Sequence, residues 1–146
     1  MRSYCAEARK PYKVLALDCD NTIWGGIVGE DGPQNLDFSP RYLSVQKKAL
    51  ELAAKGIVIC LVSKNNLDDV QAAFKHNDDI MKLQWDDVIA HRINWSAKSS
   101  NIRELAQELN LGSDSFIFLD DSLVECEEVR TNACLLYTSP SPRDRG

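Results

Sequence analysis

The sequence predicts an α/β fold in which a parallel β-sheet is flanked by α-helices. Three short runs are continuously apolar, and they comprise residues 14–17, 57–62 and 116–119. Such runs are typical of strands buried on both faces, as in a parallel sheet. Segments with a helical apolar period separate them, and this alternation indicates a Rossmann-like sheet. The 146 residues suit one domain with a substantial core.

Capping and breaking residues predict where the helices begin and end. Ser39-Pro40 begins a helix that Gly56 ends, since Ser favours the N-cap and Pro the first helical position. Asn66 is predicted to cap a second helix. Further helices are predicted at 97–110 and 123–131, whereas residues 76–96 receive no firm assignment. Glycine and proline are dense between residues 23 and 38, which predicts a small β-hairpin flap after the first strand.

Composition narrows the classes of function. The formal net charge of −5 argues against a surface that binds nucleic acid. No segment has the pattern of a signal peptide or the length of a membrane span, so no membrane role is predicted. The five cysteines form no CxxC pair and the chain has only two histidines, which leaves little for a zinc site. We therefore expect a reduced, cytoplasmic protein.

Two carboxylates, Asp18 and Asp20, directly follow the first predicted strand. Residues two apart in extended chain point the same way, so these side chains are expected to lie close together. Like charges at that distance need a cation, a shared proton or hydrogen bonds. The pair therefore predicts a Mg²⁺ site, because this hard cation prefers oxygen ligands. The alternative is that the two residues only cap a turn.

Other polar residues follow the remaining apolar runs, and we expect them to converge with the acid pair at the carboxyl edge of the sheet. This set is suited to phosphoryl transfer through an aspartyl phosphate. Asp18 is predicted to be the nucleophile and a metal ligand, and Asp20 the general acid/base, with its backbone carbonyl also within reach of the metal. Metal ligands are predicted at Asp120 and Asp121, and phosphate contacts at Thr22, Ser63 and Lys98. Structural alternatives remain for Asp121 as a helix cap, Thr22 as a turn hydroxyl, Ser63 as a helix-entry residue and Lys98 as a solvated side chain.

In order along the chain, these groups resemble the four motifs of the haloacid dehalogenase (HAD) superfamily. The motif residues are Asp18-Cys19-Asp20-Asn21-Thr22, Ser63, Lys98 and Leu119-Asp120-Asp121. More narrowly, Trp24-Gly25-Gly26, Gly29-Glu30-Asp31-Gly32, Ser63-Lys64-Asn65-Asn66, Arg92-Ile93-Asn94-Trp95 and Phe118-Leu119-Asp120-Asp121-Ser122 resemble the FkbH-like, or HAD-IIIC, group. The resemblance covers residues 12 to 131. It implies a HAD phosphatase, with Mg²⁺ as cofactor and a small phosphorylated metabolite as substrate.

The FkbH-like resemblance implies a sharper function. Members of that group take a glyceryl unit from 1,3-bisphosphoglycerate, remove phosphate and load the unit as a thioester on an acyl carrier protein. Asn65 is a candidate lining residue of the pocket, and Arg92, Asn94 and Trp95 are either substrate-binding or structural. Cys19 alternates with the two acids and is expected to point away from them, towards the core, although a thioester role stays open. The alternative from another class is a module that docks a carrier protein without turnover.

Both ends of the chain are expected to lie outside the catalytic domain. Residues 1–11 are interpreted as a linker, and residues 12–133 as the HAD-like catalytic domain, truncated at its C-terminus. Residues 134–146 resemble the translation of a sequencing adapter and are interpreted as a non-native tail. A further strand would otherwise be expected there. The alternative for this segment is a disordered Ser/Pro linker.

Overall fold

A computed structural model describes residues 12–133 and 137–140. Its sheet has five parallel strands in the order β3-β2-β1-β4-β5. The strands are β1 Val14–Leu17, β2 Val58–Lys64, β3 Ala90–Asn94, β4 Phe116–Asp120 and β5 Tyr137–Pro140. The helices are α1 Val28–Asp31, α2 Pro40–Ala54, α3 Leu67–His76, α4 Lys98–Glu108 and α5 Leu123–Ala133. The predicted α/β, Rossmann-like fold is therefore confirmed.

Strand β1 lies at the centre of the sheet and is buried on both faces. Leu15 and Leu17 pack into a core cluster on the face that contains residues of α2 and α3. Val14 and Ala16 pack into a second cluster on the opposite face, with residues of α4 and α5. This alternation follows from the two-residue period of a strand. It explains why β1 is apolar at every position.

The predicted helices form with small shifts in their ends. Pro40 occupies the first turn of α2, and Gly56 follows the helix with φ +100°, a conformation that only glycine adopts without strain. Helix α4 buries Ile102, Leu105 and Ala106 against the sheet. In the segment without a firm assignment, β3 forms an edge strand in which half-buried His91 and Arg92 interrupt the apolar pattern. None of the described helices is long and apolar enough to cross a membrane.

The segment between β1 and α2 does not form the predicted β-hairpin. A single antiparallel bridge joins Gly25 to Asp37, with N···O distances of 2.8 and 2.9 Å. Between these residues the chain forms the short helix α1 and a 3₁₀ turn at Pro33–Asn35 instead of two strands. Carboxylates favour the helical form, because Asp31 accepts the N–H of Ile27 (2.9 Å) and Asp20 accepts that of Val28 (3.1 Å). We call residues 23–38 the flap.

Strand β5 pairs with β4 at the edge of the sheet, with Ile117 opposite Tyr137. It occupies the place where a further strand was expected. Residues 1–11, 134–136 and 141–146 lie outside the described part of the chain. The interpretations of a linker and of a non-native tail therefore stay predictions.

Candidate active site

The predicted site residues converge at the carboxyl edge of the sheet, around a cleft of about 500 Å³. Asp18 follows β1, Ser63 lies in β2, Asp120 ends β4, and Lys98 begins α4. The N–H of Asp18 donates to the carbonyl of Leu119 (3.0 Å), which continues the pairing of the strands into the site. Asp18, Ser63, Lys98 and Asp120 are all almost fully buried. They form the floor of the cleft.

Lys98 joins two of the carboxylates on this floor. Its Nζ lies 3.1 Å from Oδ1 of Asp18 and also donates to Oδ2 of Asp120. Burial opposes the charge on Lys98, but Asp18 and Asp120 raise the pKa of its ammonium above the usual value. Lys98 is therefore a buried residue paired with two carboxylates, and its interpretation as a solvated surface lysine is wrong.

Three carboxylates lie close enough to hold one metal ion. Asp18, Asp120 and Asp121 each offer an oxygen, and these oxygens lie within 4.8 Å of one another. With Lys98, the formal charge of the group is −2 when all are ionised. Burial raises the pKa of Asp18 to about 8 in the metal-free chain, Lys98 opposes this shift, and Asp120 adds to it. An all-oxygen donor set with a surplus negative charge fits Mg²⁺.

Asp121 therefore belongs to the acidic cluster. At the start of α5 the hydroxyl of Ser122 accepts the N–H of Glu125 (3.3 Å). Asp120 also shapes this turn, since its Oδ1 accepts the N–H of Ser122 (3.0 Å). The loop after β4 thus fixes both carboxylates.

The carboxylate of Asp20 lies outside the acidic cluster. Its Oδ1 accepts hydrogen bonds from Nε1 of Trp24 (3.0 Å) and from the N–H of Val28 (3.1 Å). Its Oδ2 accepts one from Nδ2 of Asn65 (3.0 Å). These donors hold Asp20 at the cleft and away from the metal-binding oxygens. The metal contact predicted for Asp20 is one made by its backbone carbonyl, and it stays a prediction.

Ser63 and Asn65 line the cleft as predicted, whereas Thr22 does not. Asn65 is buried and its Nδ2 reaches both Asp20 and the hydroxyl of Ser63 (3.2 Å). Thr22 is fully buried, and its hydroxyl lies 3.4 Å from Oδ2 of Asp18. Asn21 has φ +60° in the turn after β1, and Thr22, the next residue, lies inward beside Asp18. Its geometry fits support of Asp18 rather than direct phosphate contact.

Cys19 packs into the core, as its alternation with Asp18 and Asp20 along the chain predicts. Its side chain is fully buried in the core cluster that also contains Leu17 and Ile23. Burial raises the pKa of the Cys19 thiol well above its ordinary value, and the charges of Asp18 and Asp20 raise it further. This thiol is neither exposed nor activated in the structure.

Of the three candidates in and directly after β3, two make structural contacts and one lines the cleft. Arg92 is paired with Glu104 (3.0 Å) and Glu108 (2.6 Å) on α4, and Asn94 exchanges hydrogen bonds with Asn101. These two residues are structural. Trp95 alone of the three lines the cleft.

Sequence reasoning missed several residues that line the mouth of the cleft, namely Ile27, Glu30, Asn66 and Asp69. They come from the flap and from the start of α3, whose approach to the sheet edge depends on tertiary packing. Their pattern in the sequence is that of an ordinary loop and a helix start. The sequence offered only a weak indication that these residues line the cleft, because Gly29-Glu30 belongs to the flap motif and Asn66 to the motif after β2.

Solved structures with this fold are phosphatases and related HAD domains. The chain is 36% identical to the N-terminal part of BF1531 from Bacteroides fragilis, which contains a phosphatase domain complexed with Mg (TM-score 0.86). That match covers 93% of this chain and 38% of the other, so the chain spans well under half of that relative. The HAD domain of the effector Lem4 from Legionella pneumophila matches at 13% identity and TM-score 0.63, over 91% of this chain and 88% of that one.

A third similar structure is a putative HAD-like phosphatase from Mesorhizobium loti, at 15% identity and TM-score 0.59. This match covers 86% of the present chain and 71% of the M. loti protein. No family model and no curated protein matches the sequence. Besides BF1531, a HAD-family enzyme from Bacteroides thetaiotaomicron was solved with magnesium and inorganic phosphate (11% identity, TM-score 0.56). The chain therefore has the Rossmann-like α/β fold that these HAD-family structures share.

Proposed function

We propose that this chain is a Mg²⁺-dependent phosphatase that works through an aspartyl phosphate on Asp18. The observation that carries the proposal is the convergence of Asp18, Asp120 and Asp121, with the ammonium of Lys98 paired to the first two. The 36% identity to a Mg-complexed phosphatase domain supports it. A bound Mg²⁺ would be held by these three carboxylates and would neutralise charge on the phosphoryl group.

The residues divide the chemistry between two steps. In the first, an oxygen of Asp18 attacks phosphorus, the bond from phosphorus to the leaving oxygen breaks, and Asp20 gives that oxygen a proton. In the second, Asp20 takes a proton from water, the water oxygen attacks phosphorus, and Asp18 is released with inorganic phosphate. Ser63 and Lys98 donate to the phosphoryl oxygens. Thr22 orients Asp18.

The finer proposal is FkbH-like glyceryl transfer, with 1,3-bisphosphoglycerate as donor and an acyl carrier protein as partner. The motifs shared with that group support it, and the phosphatase step removes phosphate from the glyceryl unit. Cys19 is an unfavourable thioester site as the fold stands, because it is buried and its thiol is not activated. The free thiols of Cys19, Cys60 and Cys126 are consistent with a reducing, cytoplasmic location.

The test is phosphate release from 4-nitrophenyl phosphate, with Mg²⁺ or with EDTA, together with the intact mass of the protein after incubation with 1,3-bisphosphoglycerate. We expect release only with Mg²⁺ and its loss in Asp18→Asn, while Asp79→Asn, which changes an exposed aspartate elsewhere, stays active. Intact mass measured after acid quench should show a phosphoryl adduct that Asp18→Asn lacks. A hydroxylamine-labile glyceryl adduct on Cys19 would instead establish the transferase through that thiol.

The docking module makes the opposite prediction. It would release no phosphate as wild type, and Asp18→Asn would keep full affinity for an acyl carrier protein. Folded wild-type protein that binds a carrier without turnover would therefore replace the catalytic proposal.

A further inference from the structure

Trp95 is the large aromatic side chain at the mouth of the cleft. It lines the same cavity as Asp18 and Asp120, yet 66% of its surface is exposed, against 6% and 1% for these two aspartates. It also lines a neighbouring groove with Asn65 and Asp69. An exposed tryptophan at the rim of a polar cleft presents a flat apolar surface to whatever projects from the phosphate site.

Hydrogen bonds fix the orientation of this ring. Its Nε1 donates to Oδ1 of Asn66 (3.1 Å), and Nδ2 of Asn66 donates to Oδ2 of Asp69 (3.3 Å). Asn66 precedes α3 and Asp69 lies in its first turn. The indole is therefore tied to the helix that follows Ser63 and Asn65, and a ring held in this way loses little freedom when a ligand packs on it.

The charges at the rim are mainly negative. Among the described residues that line the cleft, the basic ones are Lys64 and Lys98. Lys98 is engaged by Asp18 and Asp120 on the floor, and Lys64 is paired with Glu125 (3.5 Å). Glu30 and Asp69 add two carboxylates at the mouth. A leaving group with its own negative charge would meet repulsion there.

We propose that Trp95 determines specificity for the leaving group. The cleft takes phosphate compounds whose leaving group is uncharged or cationic and has a flat or apolar face that packs on the indole. This inference rests on the proposed phosphatase function and names its substrate class.

Binding of phosphonates tests this without turnover, because their carbon–phosphorus bond is not cleaved. The probes are methylphosphonate, benzylphosphonate, and benzylphosphonate with a para carboxylate or a para aminomethyl group, each titrated calorimetrically with Mg²⁺. In the wild type we expect benzylphosphonate to bind about tenfold more tightly than methylphosphonate, the magnitude typical of one aromatic contact. The carboxylate should weaken binding and the aminomethyl group should not.

Substitutions at the rim of the cleft test whether Trp95 causes the difference in affinity between benzylphosphonate and methylphosphonate. Trp95→Ala should remove the advantage of the benzyl group and leave methylphosphonate affinity unchanged, whereas Trp95→Phe should keep most of it. Ile89→Ala, which truncates an apolar side chain 61% exposed outside the cleft, is the matched control and should change neither affinity. Combined Glu30→Gln and Asp69→Asn substitutions should relieve the penalty on the carboxylate probe.

Equal affinity for methylphosphonate and benzylphosphonate, or equal weakening of both by Trp95→Ala, would overturn the inference. Wild-type protein that binds benzylphosphonate through Trp95 but releases no phosphate from any ester would support the inference and contradict the proposed phosphatase. Protein that releases phosphate but binds both phosphonates independently of Trp95 would support the proposed phosphatase and contradict the inference about Trp95.

Discussion

The indole Nε1 of Trp24 donates a 3.0 Å hydrogen bond to Oδ1 of Asp20. Trp24 is fully buried and packs edge-on against Phe38 and Phe74, with ring centroids 6.5 and 5.7 Å away. The flap core is therefore connected directly to the proposed general acid. The same oxygen accepts the N–H of Val28, so Asp20 is held by two points of the flap.

Trp24→Phe should impair proton donation by Asp20 more than phosphate binding, because phenylalanine keeps an apolar ring but lacks the N–H. We expect kcat to fall about tenfold on an alkyl phosphate, whose leaving oxygen needs a proton. On 4-nitrophenyl phosphate, whose leaving group departs as an anion, the change should be much smaller. Steady-state kinetics on the two substrates measures this difference.

Trp85→Phe is the matched control, since Trp85 packs on Phe74 from outside the cleft (5.4 Å between centroids). Trp85→Phe should not slow the reaction of one substrate more than that of the other. If Trp24→Phe slows both substrates equally, the hydrogen bond to Asp20 has only a structural role.

The metal-free chain should lose stability as pH rises through the titration of Asp18. Burial raises the pKa of this carboxyl from 3.8 to about 8, so the folded state binds a proton that the unfolded state releases. The stabilisation is complete below the unfolded pKa and is lost as pH rises towards the folded value. Chemical denaturation in EDTA at pH 5 and at pH 8.5 should show this loss in the wild type.

In Asp18→Asn that contribution is absent, so the difference in unfolding free energy between variant and wild type should depend on pH in this window. This comparison removes the contributions of other titrating groups to the pH dependence of stability. One such group is His91, whose pKa is lowered mainly by burial and which therefore stabilises the fold more as pH rises. Parallel pH profiles for the two proteins would contradict the raised pKa of Asp18. The affinity for Mg²⁺ should also increase between pH 6 and 8, as ionised Asp18 becomes available.

Gln46 connects α2 to two loops through its buried amide. Its Nε2 donates to the carbonyl of Ile23 (2.7 Å), and its Oε1 accepts the N–H groups of Lys82 (2.9 Å) and Leu83 (3.0 Å). Gln46→Leu would leave three buried or partly buried backbone groups without this partner. We expect a loss of about 3 kcal/mol in unfolding free energy, since each unsatisfied group costs on the order of 1 kcal/mol or more.

Urea denaturation measures this loss, with Gln71→Leu as the control, because Gln71 is an exposed residue of α3. The control should change stability little. A Gln46→Leu protein as stable as the control would show that the loops find other partners.

The sequence was most informative where local chemistry and topology agree. The apolar runs before Asp18 and Ser63 and at Phe116 each form a buried strand, and a parallel sheet brings their ends to one edge whatever the loops do. The convergence of Asp18, Ser63, Lys98 and Asp120 was predictable on that basis. The direction of Cys19 followed from the two-residue period of an extended chain.

Features that depend on partners distant in sequence were not predictable in the same way. The flap forms α1 instead of a hairpin partly because the carboxylate of Asp20 accepts the N–H of Val28, eight residues away. Trp95 reaches the rim because β3 lies beside β2, a pairing the interrupted pattern around His91 and Arg92 did not reveal. In both cases a contact between elements, rather than local propensity, decides the outcome.

The ammonium of Lys98 lies between Asp18 and Asp120, so it neutralises the same carboxylates that would bind Mg²⁺. Lys98→Met would remove the ammonium and leave two buried carboxylates facing each other. Without metal, we expect a destabilisation of about 3 kcal/mol, the usual cost of breaking a buried ion pair from one side. Saturating Mg²⁺ should restore much of it, because the divalent ion supplies the missing positive charge.

Thermal unfolding of wild type and Lys98→Met, each in EDTA and in Mg²⁺, measures this exchange. The metal should raise the Tm of the variant more than that of the wild type, while phosphate release is lost because Lys98 no longer donates to the phosphoryl oxygens. Lys47→Met, at an exposed lysine of α2, should respond to metal like the wild type. Equal Mg²⁺ shifts for wild type and Lys98→Met would mean that the ammonium and the metal do not share the field of Asp18 and Asp120, which would contradict the metal site derived from these residues.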